Sequence, residues 1–149
     1  MLPVSHGILL ADLSILKNYL LMLRLLDALL TLLHLIIIGF NLTGWIWSRT
    51  RRLHLIVAGL TASSWFVLGI WYGMGYCPIT DWQWRVKERL GERNLPASFI
   101  TYYADKISGR HFSDQVINMV TVSLFAIAVA GSLYFNFFKK RAQQERLIK

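Results

Sequence analysis

Few residues in this chain are equipped for chemistry. There are four histidines, one cysteine and eight carboxylates, and His34 is the histidine set deep inside an apolar run. An ionisable side chain at that depth in a bilayer is expensive and usually faces other protein or a ligand. Neutral imidazole is a good axial ligand, so His34 is the candidate cofactor residue, for haem b or a chlorophyll-type pigment. The plainer reading is a hydrogen bond to Thr61, Ser63 or Ser64 on the next helix; proton or quinone chemistry is a third. His54 cannot supply a second axial bond, because the two histidines differ in depth by roughly 17 Å or more at helical rise. Beside Arg51 and Arg52, His54 is expected in the headgroup zone, binding lipid phosphate with them. His6 and His111 lack metal-ligand spacing around them. Cys77 has no partner for a bridge and no evident general base nearby in sequence. Nucleophile elbow, phosphate loop, HExxH and Cys-x-x-Cys-His are all missing. The chain does not read as an enzyme, and no metal site is expected.

The elements that position these residues follow from composition. The 149 residues make one domain, 55% hydrophobic and 16% charged, where soluble domains carry roughly 25% charged residues. Mean hydropathy is +0.45. The net charge of +8 flanks apolar segments, which points to a membrane and not to nucleic acid. Windows free of Asp, Glu, Lys and Arg cover 28–48, 53–80 and 115–138, each long enough for a crossing of about 20 residues. The fold expected is all-α: a polytopic membrane protein with three transmembrane helices near 26–47, 53–76 and 116–138. Residues 8–23 read as an interfacial amphipathic helix, with the option of running on into the first span. Basic residues at 49–52 and in the tail 139–149 place both on the cytoplasmic side of a bacterial inner membrane, with the N-terminus and the 77–115 loop outside.

That loop is patterned. Thr80-Asp81-Trp82-Gln83 fits a capping box, Trp82, Val86 and Leu90 form a stripe, and Gly91 is a stop. Pro96 is placed to open a second short helix with Phe99, Tyr103 and Ile107 in line. Both helices are expected at headgroup level, either capping the bundle or serving as a docking surface through Trp82, Trp84, Tyr102 and Tyr103. In the first span, Asp27, Thr31, His34 and Asn41 share a face, and Asp27 is set to pair with Arg24. Gly59/Ser63, Gly69/Gly73 and Ala126/Ala130 fit the small-xxx-small pattern of close helix packing, within the chain or against a neighbour. Ala128/Ser132 repeats it.

The series Leu32-Leu33-His34-Leu35, Arg52-Leu53-His54-Leu55, Gly73-Met74-Gly75-Tyr76-Cys77-Pro78-Ile79-Thr80 and Ser98-Phe99-Ile100 before Tyr102-Tyr103 resembles an uncharacterised bacterial membrane-protein family, domain of unknown function 2784. The resemblance covers about residues 20–138. It implies a small multi-pass inner-membrane protein with two Leu-His-Leu motifs and Cys-Pro-x-Thr as family marks, and it implies no activity. Small-residue faces, aromatic excess and missing reaction machinery point to an accessory subunit. The expected partners are the lipid bilayer and other membrane subunits of a larger complex, electron-transport or photosynthetic by class. The alternative is a redox or pigment subunit using His34; a transporter fits less well, because no inverted repeat is visible.

Overall fold

The computed structural model describes the backbone of residues 5–138 and the side chains of 12–137. The tail 139–149 and side chains 8–11 of the expected interfacial helix lie outside the described residues. Five helices follow one another, with no strand among the described residues. Helix α1 runs Ser5–Thr43. Helix α2 begins as Arg51–Ser63, widens to a π-turn over Ser64–Leu68 and closes with Gly69–Tyr72. Helix α3 covers Pro78–Arg89 and α4 covers Phe99–Ser108. Helix α5 covers Asp114–Leu133 and ends in a π-turn, Tyr134–Phe138. Three segments are long and apolar enough to cross a membrane, Asp12–Thr43, Arg51–Tyr72 and Asp114–Phe137. The chain is a small multi-pass membrane protein.

The interfacial helix is not a separate element. It is continuous with the first span because no glycine or proline interrupts residues 8–38. At about 1.5 Å per residue α1 is roughly 58 Å long, nearly twice the hydrocarbon thickness of about 30 Å.

The interior is polar. Among the described residues the buried apolar side chains are Leu23, Ala58, Val86, Phe99 and Ala128, while His34, Asn41, His54, Thr80, Gln83, Lys87, Thr101 and Ser132 are buried too. Large residues such as Leu29, Ile56 and Ile127 point outward. Water would reverse this arrangement. A bilayer favours it, since lipid solvates leucine and cannot pair a hydroxyl.

His54 shows the consequence. It is completely buried, so it does not lie among lipid headgroups as its arginine neighbours suggested. Its Nε2 donates to the Asn41 carbonyl at 2.8 Å, and the Ser132 hydroxyl lies 3.0 Å from its Nδ1. Asn41 is in the last turn of α1, where carbonyls lack helical partners, so the imidazole caps α1 and joins it to α2 and α5. Asn41 Nδ2 adds a bond to Thr61 Oγ1 at 3.0 Å. Gly44 leaves room for the ring: a Cβ there would sit 2.7 Å from the Phe40 carbonyl and 3.1 Å from His54. Arg51 is also turned inward, its Nε donating to the Trp45 carbonyl at 3.0 Å and its guanidinium lying over Phe135. Arg52 alone of the expected headgroup set is exposed.

Of the small-residue pairs, Ala128/Ser132 packs inside the chain. Gly59, Ser63, Ala126 and Ala130 are exposed. Gly69 packs against Met74, and Gly73 ends α2 at φ +101°, so that pair makes a turn and not a helix crossing. Trp45 occupies the surface Gly131 leaves open, 3.2 Å from where a Cβ would be.

Replacing His54 by Leu removes the imidazole partner of the Asn41 carbonyl and the Ser132 hydroxyl, and is expected to destabilise by about 1–3 kcal/mol. Thermal unfolding in detergent should show His54→Leu/Ser132→Ala losing clearly less than the two single losses combined. Strict additivity would mean the bond is not made.

Candidate functional site

The site forms where the chain turns back on itself. After Tyr72, Gly73 and Gly75 adopt φ of +101° and +84°, values open to glycine at no steric cost. The chain then descends along α2: Gly75 N donates to the Trp65 carbonyl at 3.4 Å, and Ser64 Oγ donates to the Tyr76 carbonyl at 2.8 Å. The π-turn at Ser64–Leu68 is the part of α2 that receives this segment, as π-bulges often mark functional positions. Ser64 lies two turns before the end of α2, about 12 Å inside it at helical rise. Non-helical backbone at such depth is tolerated only where protein covers it.

Cys77 follows, extended at φ −129° and ψ 116° as a residue before proline must be, and it is the N-cap of α3. Helix α3 therefore starts at Pro78, and its N-cap lies three residues before Thr80, the expected one. Thr80 and Gln83, freed from capping, face α1. Helix α3 runs antiparallel to α1 and buries a polar face, Thr80, Gln83 and Lys87, with Val86 beside it. The apolar stripe is only partly buried: Val86 is inside, while Trp82 is 60% exposed. Gly91 does end α3. Its N–H reaches the Glu88 carbonyl and that of Glu92 reaches Lys87, both at 3.0 Å, a Schellman closure that sets Glu92 beside Lys87. Helix α4 opens at Phe99 with Ser98 as cap, later than Pro96 suggested.

At the upper end of the α1–α3 contact, Lys87 Nζ lies 2.9 Å from Asp27 Oδ2 and 3.3 Å from Glu92 Oε1. Asp27 pairs with this lysine and not with Arg24. The Lys87 side chain is 1% exposed and sits over the Tyr102 ring, 4.7 Å from its centroid. Burial works against its charge, but hydrogen bonding to Asp27 and Tyr102 outweighs that and holds its pKa above the ordinary value. Gln83 Nε2 donates to Asp27 Oδ1 at 2.9 Å and to Thr31 Oγ1 at 2.7 Å. The Thr31 hydroxyl donates to the Asp27 carbonyl and meets Tyr103 Oη at 2.7 Å. Tyr102 Oη donates to Glu92. Trp84 Nε1 donates to the Pro96 carbonyl at 2.6 Å. Of the expected docking set, Tyr102, Tyr103 and Trp84 are thus turned into the cap, because their polar ends have partners there. Trp82 remains outside.

At the lower end, His34 Nε2 lies 3.0 Å from Thr80 Oγ1 and 3.6 Å from Cys77 Sγ. Phe99 lies flat on the imidazole, centroids 4.1 Å apart and 9° from parallel. The buried Nδ1 has no partner. His34 therefore bonds α3, not the hydroxyls of α2. Burial pushes the Cys77 thiol up, but hydrogen bonds from His34 and from the Thr80 amide and hydroxyl overcome this and bring it to about 7.

The Nε2 of His34 is not open to a haem or pigment. That nitrogen is shared by Thr80 and Cys77 and one ring face is covered by Phe99, so a macrocycle would have to displace the first turn of α3. Among the described residues no cluster of three His, Cys, Asp or Glu is spaced to hold a metal. His111 instead pairs with Asp105 at 3.0 Å, at the surface. Sequence reasoning missed Thr80, Gln83, Lys87 and Glu92 as site residues. The first three are spaced i, i+3, i+7, a helical face matching Asp27, Thr31 and His34 on α1.

Lys87→Met should cost about 3 kcal/mol, at the low end for a broken buried pair, because Asp27 keeps 20% exposure. The raised Lys87 pKa adds a pH signature. Its stabilisation is complete below the unfolded value near 10.5 and fades as pH rises through the folded one. Melting curves of wild type and Lys87→Met should differ most below that pH and converge above it; a constant gap would refute the assignment.

No curated protein and no solved structure is similar to the chain. The family model described as "Protein of Unknown function (DUF2784)" matches residues 24–137, from α1 to α5, and the chain belongs to that family.

Proposed function

We propose that the protein is a non-catalytic integral membrane subunit that packs against a larger inner-membrane complex and stabilises it. The observation that carries this reading is the outward placement of Gly59/Ser63 on α2 and Ala126/Ala130 on α5. A Cβ at Gly59 would meet nothing within 4 Å, so the packing surface is vacant on this chain. Small residues let another helix's backbone approach closely, and in lipid that close approach drives association. The role needs no haem or pigment on His34. In this reading the arginine loop and the basic tail face the cytoplasm, and the α3–α4 cap faces outward.

The test is purification from native membranes in mild detergent with identification of what accompanies the chain. Gly59→Ile and Ala126→Ile together should leave its melting temperature within a few degrees and abolish co-purification. A lone monomer from wild-type membranes would overturn the reading, as would undiminished capture by the double variant.

A further inference from the structure

Packing does not account for Cys77 and His34. Cys77 is a half-buried free thiol at the N-terminus of a 12-residue helix, where amide groups and the helix dipole favour an anion. The Thr80 hydroxyl and the Cys77 sulfur share the same imidazole nitrogen. That imidazole is 5% exposed, and its other nitrogen is buried with nothing to bond. A histidine serving only as glue would be expected to satisfy both nitrogens, as His54 does. His34 is held by a flat stack on Phe99, which fixes the ring beside the sulfur. The group lies at the level of Ser64, about 12 Å inside the end of α2 by helical rise. Glycerolipid ester carbonyls sit at the interface and do not reach that level. With the end of α2 at the bilayer edge, acyl chains are the lipid groups that meet the sulfur.

We propose that Cys77, with His34 as its proton partner, is a thiol that reduces hydroperoxide groups on lipid acyl chains. The Cys77 sulfur attacks the terminal oxygen of the peroxide, an S–O bond forms and the O–O bond breaks. The departing alkoxide takes its proton from the His34 imidazolium, which received it from the thiol. The peroxide is reduced to an alcohol, and Cys77 is oxidised to a sulfenic acid. With one cysteine in the chain, no internal disulfide can form. Each chain reacts once until an external thiol reduces it, which is compatible with a non-catalytic subunit role.

Full-length protein in nanodiscs would be exposed to phosphatidylcholine hydroperoxide or to hydrogen peroxide, with dimedone present to trap sulfenic acid, and read by intact mass. The expected result is one dimedone adduct per chain, absent in Cys77→Ser, forming at least about tenfold faster with the lipid peroxide. His34→Gln should slow it at least about tenfold, as loss of a proton-transfer partner does. A wild-type measurement covers the case where that variant fails to fold: iodoacetamide alkylation should rise through a midpoint near pH 7. No adduct with either peroxide, a rate indifferent to His34→Gln in folded protein, or an alkylation midpoint of about 8.5 or above, the free-thiol range, would overturn the proposal. Equal or faster reaction with hydrogen peroxide would overturn the lipid assignment.

Discussion

Inside a bilayer a polar group can be satisfied only by the chain itself, and that constraint arranges everything else here. Several polar residues that the spans bring into the membrane are matched to one from another element. Asn41 meets Thr61, His54 meets Ser132, and Asp27 meets Lys87. Leucines, which would organise a water-soluble bundle, have no such task and are turned outward. Helix association follows from the positions of hydroxyls, amides and imidazoles, with small residues setting how near the backbones come.

The same constraint explains why the segment after α2 does not stay at the surface. Asp27, Thr31 and His34 form a polar strip along α1 that neither α2 nor α5 covers. Helix α3 supplies the complementary strip, and it can do so only by starting deep, which the two glycines with positive φ and the receiving π-turn allow. The cap is thus a wedge held by polar contacts more than a lid resting on headgroups. The two ends of the wedge differ in chemistry. One is an ion pair with a second carboxylate in reach, and the other is a cluster of imidazole, hydroxyl and thiol.

Much of this was legible from residues alone, in a particular way. Uncharged windows located the three crossings, because lipid penalises charge far more than it discriminates among apolar residues. The shared face of Asp27, Thr31, His34 and Asn41 was readable from helical spacing, and it is the face the structure buries. The partners were not readable. The amphipathic pattern of α3 was interpreted as if water lay on one side, so Trp82, Val86 and Leu90 drew attention and Gln83 and Lys87 did not. His54 was misplaced by its arginine neighbours, since adjacency in sequence says little about which side of a helix meets another. Gly73 looked like a packing residue until its backbone angle, with that of Gly75, showed a reversal. An outward lipid face carries little code for its neighbours, so composition could suggest an electron-transport or photosynthetic host without supporting one.

The wedge also has a history during synthesis. The first hydrophobic helix leaves the ribosome carrying an aspartate, a threonine and a histidine whose partners lie some fifty residues downstream. Asparagine 41 finds its partner as soon as the second helix enters, but the other three wait for the segment that follows. For that interval the nascent hairpin holds an unneutralised carboxylate in or near the bilayer, a state that insertion factors would have to shelter and that membrane proteases are able to recognise.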